Sequence, residues 1–111
     1  MQHLFVYGTL APGRENDHEL RGIPGSWHVA SLRGALLADG WGAAQGYPGI
    51  VPNQAEAPVQ GVLFSSTQLH HHWQRLDAFE GPGYQRIEVL VDVQSGFSLA
   101  AFVYALQPRP E

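Results

Sequence analysis

One acidic side chain, Glu80, stands where acid–base chemistry is favoured. It ends a segment in which Leu69, Trp73 and Leu76 recur at helical spacing, so the sequence predicts that Glu80 lies in the last turn of a helix. The helix dipole is negative at that end and disfavours an ionised carboxylate. An apolar neighbour such as Phe79 acts in the same direction. Both effects raise the pKa of a carboxyl that faces a cleft, as a general base requires.

Two structural alternatives for Glu80 stay open at this point. Glu80 can be an exposed residue at the end of its helix, or it can form an ordinary surface ion pair with Arg86. Asp77 lies one helical turn earlier, and we expect it to have a structural role as a partner of Tyr84 or Arg86. Only a cleft-facing orientation would make Glu80 a base.

A glycine-containing turn is the second candidate for chemistry. Tyr7, Gly8, Thr9 and Leu10 follow a short β-prone run. A glycine lets a ligand approach the backbone closely, and the free N–H groups at a strand end can form a cradle for an anion. The expected ligand is a carboxylate or another small anion. The alternative is that the turn only connects two elements, as most such turns do.

Other patterns lack the spacing that their chemistry requires. His70, His71 and His72 are adjacent, and successive helical side chains point about 100° apart, so we expect a solvated helix face rather than a metal site. Residues 8–13 lack the Lys-Ser/Thr ending of a P-loop and the third glycine of the dinucleotide fingerprint. The sequence has no Gly-x-Ser-x-Gly segment and no cysteine, which disfavours serine-hydrolase and thiol chemistry. It therefore predicts no metal and no nucleotide cofactor.

Length and charge bound the class of protein. A chain of 111 residues is too short for two independent cores, so we expect a single domain over residues 1–111. The net charge of −4 lacks the basic surface expected for a protein that binds nucleic acid or anionic lipid. The longest apolar run, Leu99 to Leu106, is too short to span a membrane, and the first residues do not resemble a signal peptide. These features predict a cytoplasmic protein.

The elements that must position these residues are short strands and one or two helices. The patterns predict strands over residues 4–7, 27–38 with a break near Gly34, 59–65, 87–93 and 97–106, with an extended sheet-edge segment over 47–52. Helices are predicted over residues 14–21 and from a capping box at Ser65 to Gly81, and Pro108 and Pro110 close the tail. Hairpins with so few helices favour the α+β class with an antiparallel, strongly curved or barrel-like sheet.

Three segments together resemble one known family. They are Val6-Tyr7-Gly8-Thr9-Leu10 followed by Gly13, Gly46-Tyr47-Pro48-Gly49, and Leu76-Asp77-x-Phe79-Glu80-Gly81-x-x-Tyr84-x-Arg86. In their order and spacing they resemble the γ-glutamylcyclotransferase-like family over nearly the whole chain. The resemblance is closest to the small bacterial and AIG2-like members and to γ-glutamylamine cyclotransferase.

The resemblance implies a fold, a reaction and a set of site residues. The implied fold is a small mixed, mainly antiparallel β-barrel with one or two flanking helices. The implied reaction is cofactor-free cyclisation of a small γ-glutamyl substrate to 5-oxoproline with release of an amine. Glu80 falls on the family's catalytic glutamate, and residues 7–10 fall on the loop whose backbone amides hold the glutamyl end. Tyr84 and Arg86 fall on positions that flank the cavity, and Ala11-Pro12 stands where the family often has a basic residue.

Two functions of other classes remain as alternatives. The first is a non-catalytic binding module of the same fold that holds a small carboxylate or amine ligand. The second is an interaction protein that uses the aromatic-rich loop from Trp41 to Tyr47 as a contact patch. Trp27, Trp41 and Trp73 are, however, expected to be packing residues, because aromatic side chains commonly fill cores.

Overall fold

The described chain contains six strands and two short helices. They are seen in a computed structural model that describes residues 1–108, apart from the side chain of Ala43. In chain order they are β1 (Gln2–Val6), α1 (His18–Arg21), β2 (Ser26–Leu37), β3 (Gly49–Pro52), β4 (Pro58–Ser66), α2 (Trp73–Glu80), β5 (Tyr84–Val93) and β6 (Phe97–Leu106). Short 3₁₀ turns at Gly42–Ala44 and Leu69–His71 follow β2 and β4. Pro110, which was expected in the tail, lies outside the described residues.

Five of the strands close into a barrel. The order of neighbours is β2, β4, β1, β6 and β5, and β5 pairs again with β2. The pairings are antiparallel except that of β1 with β6, which is parallel at Leu4 with Phe102 and at Phe5 with Val103. The sixth strand, β3, pairs with the second half of β2 at the sheet edge, as predicted for this segment. The prediction of an α+β fold with a small mixed, mainly antiparallel barrel is confirmed.

Strand β1 separates two hydrophobic cores because its side chains alternate between the two faces of the sheet. Leu4 and Val6 pack with α1, α2 and the segment between β4 and α2, whereas Phe5 packs inside the barrel. The outer core also contains Leu10, Leu20, Ile23, Phe64, Leu69, Trp73, Leu76 and Tyr104. Burial on both faces fixes the end of β1, and the glycine-containing turn starts at that end.

The β5–β6 hairpin agrees with the prediction from its alternating sequence. Its register runs from Tyr84 opposite Leu106 to Val93 opposite Phe97, and Gly96 has a φ of 111° in the connection. Glycine is favoured at such a backbone angle because it has no Cβ. The same register places Arg86 directly opposite Tyr104.

The predicted break of β2 at Gly34 is wrong. The strand continues through Gly34 but changes its partner there, because Arg33 is the last residue paired with β4 and Gly34 is the first paired with β3. A Cβ on Gly34 would lie 2.8 Å from the carbonyl oxygen of Val51. The glycine therefore permits a close approach of β3 and does not end the strand.

The predicted capping box at Ser65 is also wrong. Strand β4 continues through Ser66, and the hydroxyl of Ser65 lies 2.7 Å from Nδ1 of His3 on the neighbouring strand. The hydroxyl of Ser66 instead accepts a hydrogen bond from the amide of Gln68, at 2.9 Å. Helix α2 begins only at Trp73, after the 3₁₀ turn.

Both helices are short. Helix α2 ends at Glu80, as predicted, and Gly81 follows with a φ of 82°. Helix α1 has four residues where residues 14–21 were predicted, and Leu20 anchors it in the outer core. In the part of the chain that the structure describes, neither helix is long and apolar enough to cross a membrane.

Candidate active site

A cavity of about 400 Å³ lies where β1 passes into the glycine-containing turn. The turn, the loop before α1, the segment before β3, the end of α2, the start of β5 and the end of β6 meet around it. Its wall consists of residues 4–10, Glu15, Asn16, Tyr47, Pro48, Phe79, Glu80, Tyr84 and Tyr104. Two residues of this wall, Glu15 and Glu80, carry a carboxyl group, and no arginine of the described chain contributes to the wall.

The structure brings six of the seven predicted site residues to this cavity. Tyr7, Gly8, Thr9 and Leu10 line it together with Glu80 and Tyr84. Glu80 is half-buried, and among the described residues Arg86 pairs with Asp77 and not with Glu80. The two structural alternatives for Glu80, an exposed helix end and an ion pair with Arg86, are therefore both wrong.

Burial sets the proton affinity of Glu80. It raises the pKa of this carboxyl from 4.5 to about 7, because a charged carboxylate is poorly solvated inside a protein. No hydrogen-bond donor within residues 1–108 reaches the carboxyl to offset this effect. At neutral pH both protonation states of Glu80 are populated, and a group that must accept and return a proton needs both.

The backbone amides of the turn are free to bind an anion. Within the described chain, the N–H groups of Gly8, Thr9 and Leu10 donate to no protein acceptor. The conformation of the turn is held from its other side, where the backbone and the side-chain amide of Asn16 donate to the carbonyl and hydroxyl oxygens of Thr9 at 2.9 and 3.0 Å. Three adjacent unpaired donors on a cavity wall form the kind of cradle that binds a carboxylate or an oxyanion.

Two tyrosine hydroxyls hold the wall together. Tyr7 donates a hydrogen bond of 2.7 Å to the carbonyl oxygen of Tyr104 and accepts one of 3.3 Å from the amide of Ile50. Tyr84 donates a bond of 2.7 Å to the carbonyl oxygen of Pro48. Burial raises the pKa of Tyr7 and of Tyr84, so both phenols stay protonated at neutral pH. These bonds tie β3 and the residue before it to the turn after β1 and to β5, and they tie that turn to β6.

Arg86 does not line the cavity, although the resemblance placed it, with Tyr84, among the substrate-binding positions that flank the cavity. Its Nε lies 2.9 Å from Oδ1 of Asp77, and its guanidinium carbon lies 4.5 Å from the ring centroid of Trp73 and 5.1 Å from that of Phe102. A side chain held by an ion pair and two aromatic rings is fixed in place. The structural role expected for Asp77 agrees with this contact.

Several residues of the cavity wall were not predicted from the sequence to be site residues. Glu15 and Asn16 come from the loop before α1, and Tyr104 comes from β6. One feature of the sequence could have identified Tyr104: a tyrosine within a buried strand needs a hydrogen-bond partner for its hydroxyl. No spacing in the sequence identified that partner, since it lies 27 residues away, on Asp77.

The histidine run does not line the cavity, whereas the aromatic loop reaches it through Tyr47. His70 and His71 are exposed, as predicted, but in a 3₁₀ turn instead of an α-helix, whereas His72 is half-buried. No group of three side chains within residues 1–108 has the arrangement of a metal site. In the aromatic loop, Trp41 donates a bond of 2.9 Å to the carbonyl oxygen of Gln107, while Tyr47 lines the cavity with 64% of its surface exposed.

Comparison with known proteins agrees with this geometry. The sequence model of the family described as gamma-glutamyl cyclotransferase, AIG2-like matches residues 4–111. The chain belongs to this gamma-glutamyl cyclotransferase, AIG2-like family. The match includes the turn at residues 7–10 and Glu80, and no curated protein sequence matches the chain significantly.

Several solved structures share the fold. The protein YkqA from Bacillus subtilis is 30% identical with a TM-score of 0.72, and the match covers 96% of this chain but only 36% of YkqA. This chain therefore spans about a third of that protein's length. An AIG2-like protein from Mus musculus is 24% identical with a TM-score of 0.68, over 99% of this chain and 80% of the mouse protein. A gamma-glutamyl cyclotransferase is 20% identical with a TM-score of 0.61, over 96% and 66% of the two chains.

Proposed function

We propose that this protein cyclises the glutamyl part of a small γ-glutamyl amine or amide to 5-oxoproline and releases the amine, with Glu80 as general acid and base. It would then be an acyl-transferring, cyclising enzyme that needs no cofactor. The observation that carries the proposal is a half-buried carboxyl that receives no hydrogen bond from residues 1–108, in one cavity with three unpaired amides. Family membership supports the same reaction class.

The cavity offers complementary partners for both charged groups of a γ-glutamyl compound. The amides of residues 8–10 suit its α-carboxylate, and Glu80 suits its α-ammonium group. Binding at both points would fold the glutamyl chain so that its nitrogen approaches its own γ-carbonyl carbon. Since nucleophile and electrophile belong to one molecule, this positioning supplies much of the rate acceleration.

A single carboxyl suffices for the proton transfers. Ionised Glu80 takes a proton from the α-ammonium group, and the free amine attacks the γ-carbonyl carbon to form the new N–C bond. The protonated acid then returns this proton to the leaving nitrogen, and the old C–N bond breaks. The ring nitrogen loses its second proton to water, and the released amine takes one up from water, so the charges balance. Donors of the turn can stabilise the oxyanion of the intermediate.

The direct test is release of 5-oxoproline from a panel of γ-glutamyl amines, γ-glutamyl amino acids and γ-glutamyl dipeptides, followed by mass spectrometry. We expect release from at least one class. If no substrate is turned over while 5-oxoproline or a γ-glutamyl compound raises the melting temperature, the protein is the binding module considered above. Absence of both effects would contradict the proposal and its alternative.

The pH dependence of turnover is expected to follow the ionisation of Glu80. The base must be ionised to accept a proton, so kcat/KM should rise with pH and reach half of its plateau near pH 7, where the pKa of Glu80 lies. The measurement is kcat/KM with the best substrate between pH 5 and 8.5 at constant ionic strength. A plateau that extends down to pH 5 would show that Glu80 is not the base.

Replacing Gly8 by Val is expected to weaken substrate binding without destabilising the fold. A Cβ at Gly8 would meet no protein atom within 4 Å, and its φ is not positive, so the side chain would occupy only space that a ligand needs. We expect KM to rise about tenfold or more, as for the loss of a well-placed binding contact. Gly22→Val is the matched control, since Gly22 has equally open space and does not line the cavity. Equal KM values for the two variants would contradict a binding role for the turn.

We also propose that residues 1–111 form one domain and that the protein works in the cytoplasm on a small-molecule substrate. The two cores share β1, which leaves no boundary at which the described chain could be divided. The family match over residues 4–111 supports the same extent. A cavity of about 400 Å³ is of the size that holds a small metabolite.

A further inference from the structure

The hydroxyl of Tyr104 links the cavity wall that carries Glu80 to a partly exposed ion pair, that of Asp77 with Arg86. Its oxygen donates a hydrogen bond of 2.6 Å to Oδ1 of Asp77, and Arg86 holds the same carboxylate oxygen from 2.9 Å. Partial burial tends to raise the pKa of Asp77, but the hydrogen bonds from Arg86 and Tyr104 outweigh it and keep this pKa below its usual range. Asp77 is therefore ionised at neutral pH and can only accept.

The direction of this bond decides what Tyr104 offers to the cavity. A phenol has one proton, and once that proton is donated to Asp77 the oxygen presents only lone pairs elsewhere. Burial, the hydrogen bond to Asp77 and the negative charges of Asp77 and Glu80 all raise the pKa of Tyr104. The proton therefore stays on Tyr104 and is donated to Asp77.

The other groups around Glu80 do not replace the missing donor. Tyr7 and Tyr84 donate their protons to backbone carbonyls, and Glu15 is an acceptor when ionised. Tyr47, the remaining phenol on the wall, is mostly exposed to solvent. Within the described residues, Tyr7, Tyr84 and Tyr104 are thus left with lone pairs only, and an amino group is the substrate part that such acceptors recognise.

We propose that Asp77 is a positioning residue for the acid–base reaction, because it holds the phenolic proton of Tyr104 and so makes Tyr104 an acceptor toward both Glu80 and the substrate's amino group. This inference rests on the proposed function. An ammonium group would then lie between two acceptors, the Glu80 carboxylate and the Tyr104 oxygen. If Tyr104 donated to Glu80 instead, the carboxylate would be stabilised and would become a weaker base.

Asp77→Asn tests the inference. The neutral amide accepts the phenolic proton less strongly and can itself donate to Tyr104, which frees that proton for Glu80. We expect the rise of kcat/KM with pH to move down by about one pH unit, and the plateau kcat to fall about tenfold, because a hydrogen bond to an ionised group favours ionisation on this scale. Arg86→Gln is the matched control. It removes the same ion pair but leaves Asp77 as the acceptor, so its midpoint should stay near that of the unaltered protein.

A second measurement separates this inference from the proposed function. The carboxyl carbon of Glu80, observed by NMR without substrate, should titrate near pH 7 in the unaltered protein and in Arg86→Gln, and about one pH unit lower in Asp77→Asn. Such a shift without any 5-oxoproline release would leave the positioning role intact and overturn only the reaction. Release with identical titrations in all three proteins would overturn only the positioning role.

Tyr104→Phe keeps the inference testable if Asp77→Asn does not fold. Loss of a hydroxyl that donates nothing to Glu80 should leave the Glu80 midpoint near pH 7, while KM rises because one acceptor for the amino group is gone. A midpoint that moves to higher pH would mean that Tyr104 had been donating to Glu80, and this outcome would overturn the inference.

Discussion

Glu80→Gln is expected to lose about 10²- to 10⁴-fold in kcat, the range that a positioned general acid and base contributes. Glutamine has nearly the same shape as glutamate and fills the same place on the wall, but it can neither take the proton from the α-ammonium group nor return it to the leaving nitrogen. The loss should therefore appear in kcat more than in KM. Steady-state release of 5-oxoproline at pH 8 measures both parameters.

Glu88→Gln is the matched control for this change. Glu88 is an exposed residue of β5 and does not line the cavity, so its replacement removes the same charge without touching the site. We expect kcat of Glu88→Gln within twofold of the unaltered protein. Glu80→Gln should still be stabilised against heat by 5-oxoproline, because the amides of residues 8–10 remain. Full activity of Glu80→Gln would remove Glu80 from the mechanism.

The same substitution is expected to stabilise the fold at neutral and higher pH. In the unfolded chain Glu80 loses its proton near pH 4.5, whereas in the folded protein it keeps the proton up to about pH 7. Between these values unfolding releases a proton, so the free energy of unfolding falls as the pH rises. A tenfold change in proton affinity corresponds to about 1.4 kcal/mol, so this contribution falls by up to about 3 kcal/mol across the interval.

A glutamine at position 80 releases no proton on unfolding between these pH values. The difference in stability between the two proteins, followed over pH, therefore measures the contribution of Glu80. Urea unfolding of both proteins at pH 4, 5.5, 7 and 8 should give equal free energies at pH 4 and a growing advantage of the glutamine variant up to about pH 7. Above that pH the advantage should stay constant. A difference that does not change with pH would show that Glu80 is well solvated in the folded protein, contrary to its place in the cavity.

The sequence was informative wherever one local pattern determined the outcome. The spacing of Leu69, Trp73 and Leu76 reflects burial against β1, so it located Glu80 at the end of a helix. Strict alternation along β5 predicted a strand because one face packs in the barrel and the other meets water. The residues of the turn were recognisable because Gly8 interrupts an apolar run.

Contacts between distant segments limited the prediction. Ser65 satisfies a local capping rule, but pairing with β1 keeps it in a strand and places His3 beside its hydroxyl. Gly34 has the composition of a break, yet the close approach of β3 explains it. The placing of Arg86 opposite Tyr104 follows from the register of a hairpin, and a sequence pattern does not fix that register to the residue.

The parallel seam between β1 and β6 has a consequence for how the protein folds. It joins Phe5 to Val103, which are far apart along the chain, and barrels rich in such non-local contacts fold in milliseconds to seconds. On the ribosome, β1 can pair with β4 while its other edge stays open until β6 is synthesised, and open edges favour aggregation. The turn after β1 and Tyr104 of β6 lie on the two sides of this seam. The cavity would therefore be completed only after β6 has paired with β1.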